Sequence, residues 1–119
     1  MSASSVGILG GGQLGSLLAV AAKKLNIRTS VYSDDKFAPA VNFSDMFFYG
    51  NYNDEEKISE FLNGVDVVTF EFENIPVNIL KKIELKKKVL PKPEINKIIQ
   101  NRKLEKTFVN DLDIKTTDW

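Results

Sequence analysis

The stretch Val6-Gly7-Ile8-Leu9-Gly10-Gly11-Gly12-Gln13-Leu14-Gly15 reads as a short buried strand that breaks into a glycine-rich turn and opens a helix. Gly10, Gly12 and Gly15 fill the pattern G-x-G-x-x-G, with Gly11 as a fourth glycine inside it. Glycine takes positive φ at little cost and lacks a Cβ, so such a turn can be tight and can bring backbone N–H groups close to a ligand. Amides at a helix N-terminus suit phosphate or another anion. A strand–helix packing turn without any ligand satisfies the same pattern, so the flanking sequence has to decide.

Downstream of the turn, Leu14, Leu17, Leu18, Ala21, Ala22 and Leu25 recur at helical spacing. They predict an amphipathic helix from about Gly12 to Leu25 with this face inward. Ile27 to Tyr32 predicts a second strand, followed by Asp34-Asp35, and Met46-Phe47-Phe48-Tyr49 a third. Asn53-Asp54-Glu55-Glu56 starts a helix whose apolar face is Ile58, Phe61 and Leu62, its acidic first turn matching the helix dipole. Val65 to Phe72 is the most apolar run and reads as a central strand. Pro76 opens a helix through about Glu84, Val89-Leu90 forms a short strand, and two further helices are marked by Ile95, Ile98, Ile99 and by Leu104, Phe108, Leu112. Alternating strands and helices call for an α/β fold, a Rossmann-like, doubly wound parallel sheet. Ligands of such sheets bind beyond the carboxyl ends of the strands, at the switch point.

The chain has 119 residues, enough for one domain with a real core. Its 43% hydrophobic and 27% charged residues are ordinary for a globular protein. No apolar run approaches the length of a membrane span, and residues 1–5 carry no secretory signal pattern. Cysteine and histidine are both absent. That removes disulfides, thiolate nucleophiles and Cys/His zinc sites, leaves carboxylates, Lys, Arg, backbone amides or an imported metal for chemistry, and fits a cytoplasmic location. Charge is uneven, with five basic and ten acidic residues in 1–80 against eleven and six in 81–119. The lysines at 81, 82, 86, 87 and 88 surround helix-spaced apolar residues with no interleaved aromatics, which reads as a solvated helix face, not a nucleic-acid surface.

Two acidic groups fall on the expected ligand edge. Asp34 lies 19 residues after Gly15 at the end of the second strand, where an acidic residue takes the ribose of a dinucleotide. An NAD-binding oxidoreductase domain and a solvated turn are both open readings of Asp34-Asp35. In Phe70-Glu71-Phe72-Glu73-Asn74, the two glutamates face one side of a strand and the phenylalanines the other. Carboxylates at a strand's end accept hydrogen bonds from a sugar hydroxyl or an amine, unless the segment is already solvated loop.

Three segments taken together carry a resemblance. They are Gly10 to Gly15, then Val67-Val68-Thr69-Phe70-Glu71-Phe72-Glu73-Asn74-Ile75-Pro76, then Asn101-Arg102-Lys103-Leu104-Glu105-Lys106-Thr107-Phe108. In order and register they resemble 5-(carboxyamino)imidazole ribonucleotide synthase, an ATP-grasp ligase of purine biosynthesis, over its N-terminal, pre-ATP-grasp domain. The resemblance implies a Rossmann-like domain over residues 1–112, with 113–119 starting the connection to the ATP-grasp region. It implies carboxylation of 5-aminoimidazole ribonucleotide by bicarbonate, driven by ATP and Mg2+, with ADP and phosphate released and catalytic groups lying beyond this chain. It further implies a homodimer, with neither nucleic acid nor membrane as a partner. Gly12, Gln13 and Leu14 would border the ribonucleotide, Glu73 with Asn74 would meet its ribose, and Arg102 would contact ATP. Ser16 stands where many members carry an arginine, and Asp118 where a proline is usual. On this reading the isolated domain is inactive; a non-catalytic nucleotide-binding module is the remaining alternative.

Overall fold

The computed structural model describes residues 4–71, 75–115 and 117. In chain order the elements are β1 (Ser5–Leu9), α1 (Gln13–Lys24), β2 (Arg28–Ser33), a 3-10 turn (Pro39–Asn42), β3 (Met46–Tyr49), α2 (Glu55–Asn63), β4 (Val67–Phe70), α3 (Val77–Glu84), β5 (Lys88–Val89), α4 (Pro93–Ile99) and α5 (Arg102–Asp111). All strand pairs are parallel, in the order β3-β2-β1-β4-β5, so β1 is central and the direction of winding reverses between β1 and β4. Leu9 at the end of β1 sits level with Tyr32 of β2 and Phe70 of β4, which brings three strand ends to one edge.

The larger core lies on the face covered by α2 and α3. Leu9, Tyr32, Val68 and Val89 meet Ile58, Phe61, Leu62, Ile79, Leu80 and Ile83 there. Tyr32 and Phe61 pack edge to face at 5.7 Å between ring centroids, and each fully buried large side chain contributes about 2 kcal/mol. On the opposite face Ile8, Val31 and Ala40 form a smaller cluster beneath α1 and the 3-10 turn, with Val6 and Phe47 alongside. Asp54 caps α2 by accepting the Lys57 N–H at 3.1 Å, as its place before an acidic first turn predicts.

The expected inward face of α1 is corrected, and two later helices leave most of the apolar residues that mark them exposed. In α1 the buried residues are Gly15, Ser16 and Ala19, whereas Leu14, Leu17, Leu18 and Leu25 are exposed. The helix lies on the sheet through its small residues, which lets the backbones approach and turns the leucines outward. In α4 the buried residues are Pro93 and Asn96, and Ile95 and Ile99 are exposed. None of α5 is buried, and its stripe of Leu104, Phe108 and Leu112 faces solvent. The central strand is β1 and not β4, which ends at Phe70.

Candidate functional site

At the carboxyl edge of the sheet, β1 runs straight into the glycine turn. Gly10 donates its N–H to the Tyr32 carbonyl at 2.8 Å, continuing the ladder by one residue, and turns with φ of 110°. Gly15 sits in the first turn of α1, directly over the Gly10 carbonyl; a Cβ at residue 15 would lie 2.5 Å from that oxygen. The turn therefore closes tightly because both positions lack a side chain.

The carboxylate that reaches this turn is Glu71. Its N–H donates to the Leu9 carbonyl at 3.1 Å, so the backbone follows β4 past the last strand residue and delivers the side chain across the turn. Oε1 of Glu71 then accepts the Gly12 N–H at 3.1 Å. Beside it opens a cleft of about 300 Å³ lined by Gly10, Gly11, Gly12, Ser33, Asp34, Asp35, Ala38, Pro39, Tyr52 and Glu71. The loop after β2 is folded by its own side chains: Ser33 Oγ accepts the Asp35 N–H at 3.1 Å, and Asp35 Oδ1 accepts that of Phe37 at 2.9 Å. Burial, and then the negative charges of Asp34 and Glu71, raise the Tyr52 hydroxyl well above its ordinary pKa. Tyr32, beneath the cleft, is pushed up to about 12 by burial and by Asp54 and Asp34. Both shifts arise first from burial, with the nearby carboxylates adding to them.

Gly12 lines the cleft, and Gln13 and Leu14 follow it as the exposed first residues of α1, Leu14 with 59% of its surface free. Asp34 also lines the cleft. Glu73 and Asn74 lie outside the described residues, but the chain just after them is clamped. Asn96 Nδ2 and Gln100 Nε2 both donate to the Ile75 carbonyl, at 3.3 and 2.6 Å. Arg102 is the exposed first residue of α5, capped by Asn101, whose Oδ1 accepts the Leu104 N–H at 3.1 Å. It is not among the cleft residues. Ser16, in the arginine position, is buried and donates its hydroxyl to the Gln13 carbonyl at 2.7 Å. Sequence reasoning missed Ser33, Ala38, Pro39 and Tyr52 as cleft residues and read Glu71 only as half of a pair. The parity of β4 was the available signal for Glu71; Ser33 is the last residue of β2, and the others come from connecting segments that no period marks. Among the described residues no group of three or more acidic side chains is placed to hold a metal ion.

Residues 3–100 match the family model of the ribonucleotide synthetase pre-ATP-grasp domain. The chain is 37% identical over 116 residues to the N5-carboxyaminoimidazole ribonucleotide synthase of Brucella melitensis, covering 98% of this chain and 32% of that protein. The crystal structure of N5-carboxyaminoimidazole ribonucleotide synthetase from Thermus thermophilus superposes with a TM-score of 0.89 at 34% identity, over 93% of this chain and 31% of that one. The N5-carboxyaminoimidazole synthase of Aspergillus clavatus, solved with ADP and 5-aminoimidazole ribonucleotide, superposes with a TM-score of 0.78 at 27% identity, over 98% and 31%. The chain thus spans about a third of the length of these relatives. With its five parallel strands, its glycine turn and a family match running from residue 3 to residue 100, the chain belongs to the ribonucleotide synthetase pre-ATP-grasp domain family.

Proposed function

We propose that this domain supplies the ribonucleotide-binding edge of an ATP-dependent ligase that carboxylates 5-aminoimidazole ribonucleotide with bicarbonate. The observation that supports this reading is the meeting of the glycine turn and the end of β4 at the switch point of a sheet of this family. In the proposal, Gly12, Gln13 and Leu14 border the substrate at the start of α1. Glu73 and Asn74 receive its ribose, just before Ile75, whose carbonyl is held by Asn96 and Gln100. Arg102 grips ATP phosphate, a task suited to a side chain that stays charged and presents two parallel N–H groups. The described residues contribute orientation and exclusion of water. ATP, as in the relatives solved with ADP or ATP, supplies the phosphoryl group, and the magnesium such transfer requires would be held outside the described residues of this chain. A homodimer and a cytoplasmic location belong to the same proposal. No helix of the described residues is long and apolar enough to cross a membrane. The family match does not favour the NAD-linked oxidoreductase reading.

The full-length gene product should release ADP only when bicarbonate and 5-aminoimidazole ribonucleotide are both present. A coupled ADP assay with each omitted in turn checks this. ADP release indifferent to the ribonucleotide would overturn the assignment.

A further inference from the structure

We propose that Glu71 is a specificity-determining residue: its carboxylate is the resident anion of the glycine turn and closes that turn to phosphate and diphosphate ligands. A G-x-G-x-x-G turn ordinarily offers its amides to a diphosphate. Here the Gly12 amide is already spent on Glu71 Oε1 at 3.1 Å. The same oxygen stands 2.6 Å from where a Cβ of Gly10 would be, and Glu71 Cγ is 3.6 Å from that of Gly15. The bare surface of the glycines thus receives an internal side chain in the place where a ligand would sit. The rest of the cleft reinforces the charge. Asp34 and Asp35 join Glu71 in its wall, and among the described residues no Lys or Arg lines it. A phosphate taking the Gly12 amide would have to displace the Glu71 carboxylate and remain beside two more. A ligand presenting hydroxyl or amine hydrogens meets acceptors instead. The cleft therefore selects the hydroxylated or amine-bearing part of a ligand and rejects its phosphate.

This inference concerns the ligand chemistry of the turn and not the reaction proposed above, and its assay is direct binding, so either can fail alone. The test titrates inorganic pyrophosphate into the isotope-labelled full chain and follows the Gly12, Gln13 and Leu14 amides by NMR. The native chain should show no saturable shift. Glu71→Gln keeps the size and an acceptor oxygen but removes the charge, and should bind pyrophosphate about tenfold tighter or more, the worth of one charge-assisted hydrogen bond. Glu71→Ala should gain at least as much, and Asp34→Asn less, since Asp34 does not hold the amide. A purely structural pin predicts instead that Glu71→Gln behaves as the native chain. Saturable binding by the native chain with the affinity of Glu71→Gln, or no gain in Glu71→Gln, would overturn the proposal. Should Glu71→Ala not fold, Glu71→Gln decides alone.

Discussion

A methyl group added at Gly15 would meet backbone, and one added at Gly12 would not. The Cβ of an alanine at 15 would stand 2.5 Å from the Gly10 carbonyl oxygen, which can move only if the turn moves. At Gly12 the nearest atom is Glu71 Oε1 at 3.4 Å, an ordinary contact, and φ of −72° suits any residue. Gly15→Ala should therefore lower the unfolding free energy by about 1–3 kcal/mol. Gly12→Ala should change it by less than about 1 kcal/mol. Urea denaturation of the two variants checks the order, and a reversed order would mean that the turn is not closed over the Gly10 carbonyl. The glycine motif was legible in the sequence, but the reason for each glycine was not. The pattern says that side chains are missing, and only the fold says which atom fills the space. That is also why Glu71 was visible as a carboxylate at a strand end and invisible as the partner of Gly12, fifty-nine positions away.

At the scale of elements, strand and helix positions followed from local pattern, and inward faces did not always do so. β1, β3 and the apolar face of α2 stand where periodicity and composition place them. In α1 two stripes compete at the same period, a leucine stripe and a stripe of Gly15, Ser16, Ala19 and Ala22. Hydrophobicity favours the first, while close packing on a parallel sheet selects the second, because small residues let helix and strand backbones approach. Similarly, Asn96 of α4 is buried to hold the Ile75 carbonyl, a requirement that hydropathy does not register. The energetic consequence is sharp. Ala19 is 1% exposed and Leu17 57%. Leu17→Ala should alter stability by no more than about 0.5 kcal/mol, while Ala19→Leu should cost about 1–3 kcal/mol by overpacking. Thermal unfolding of the pair distinguishes this packing from the leucine-inward alternative, which demands the opposite ranking.

For the whole molecule, the absence of histidine and the burial of two tyrosines under an acidic edge set how stability varies with pH. No side chain here has an ordinary pKa between about 5 and 8, so stability should be nearly flat across that range. The alkaline side differs. The Tyr32 hydroxyl is buried and donates to the Asn51 carbonyl at 2.5 Å, and its pKa rises from 10.0 to about 12. Tyr52 is shifted in the same direction by burial and by Asp34 and Glu71. Above pH 10 the unfolded chain loses the tyrosine proton while the folded chain keeps it, so the unfolded state binds fewer protons and unfolding becomes easier as pH rises. The stabilisation tied to the neutral phenol is complete below pH 10 and lost progressively toward about pH 12. For Tyr32 alone that loss is about 3 kcal/mol. Tyr32→Phe should be less stable than the native chain at pH 7, having lost the bond to Asn51, yet fall less steeply between pH 10 and 12. Guanidinium midpoints for both proteins across that window test the argument. Parallel declines would mean that the alkaline loss arises elsewhere in the chain and not from the buried Tyr32 phenol.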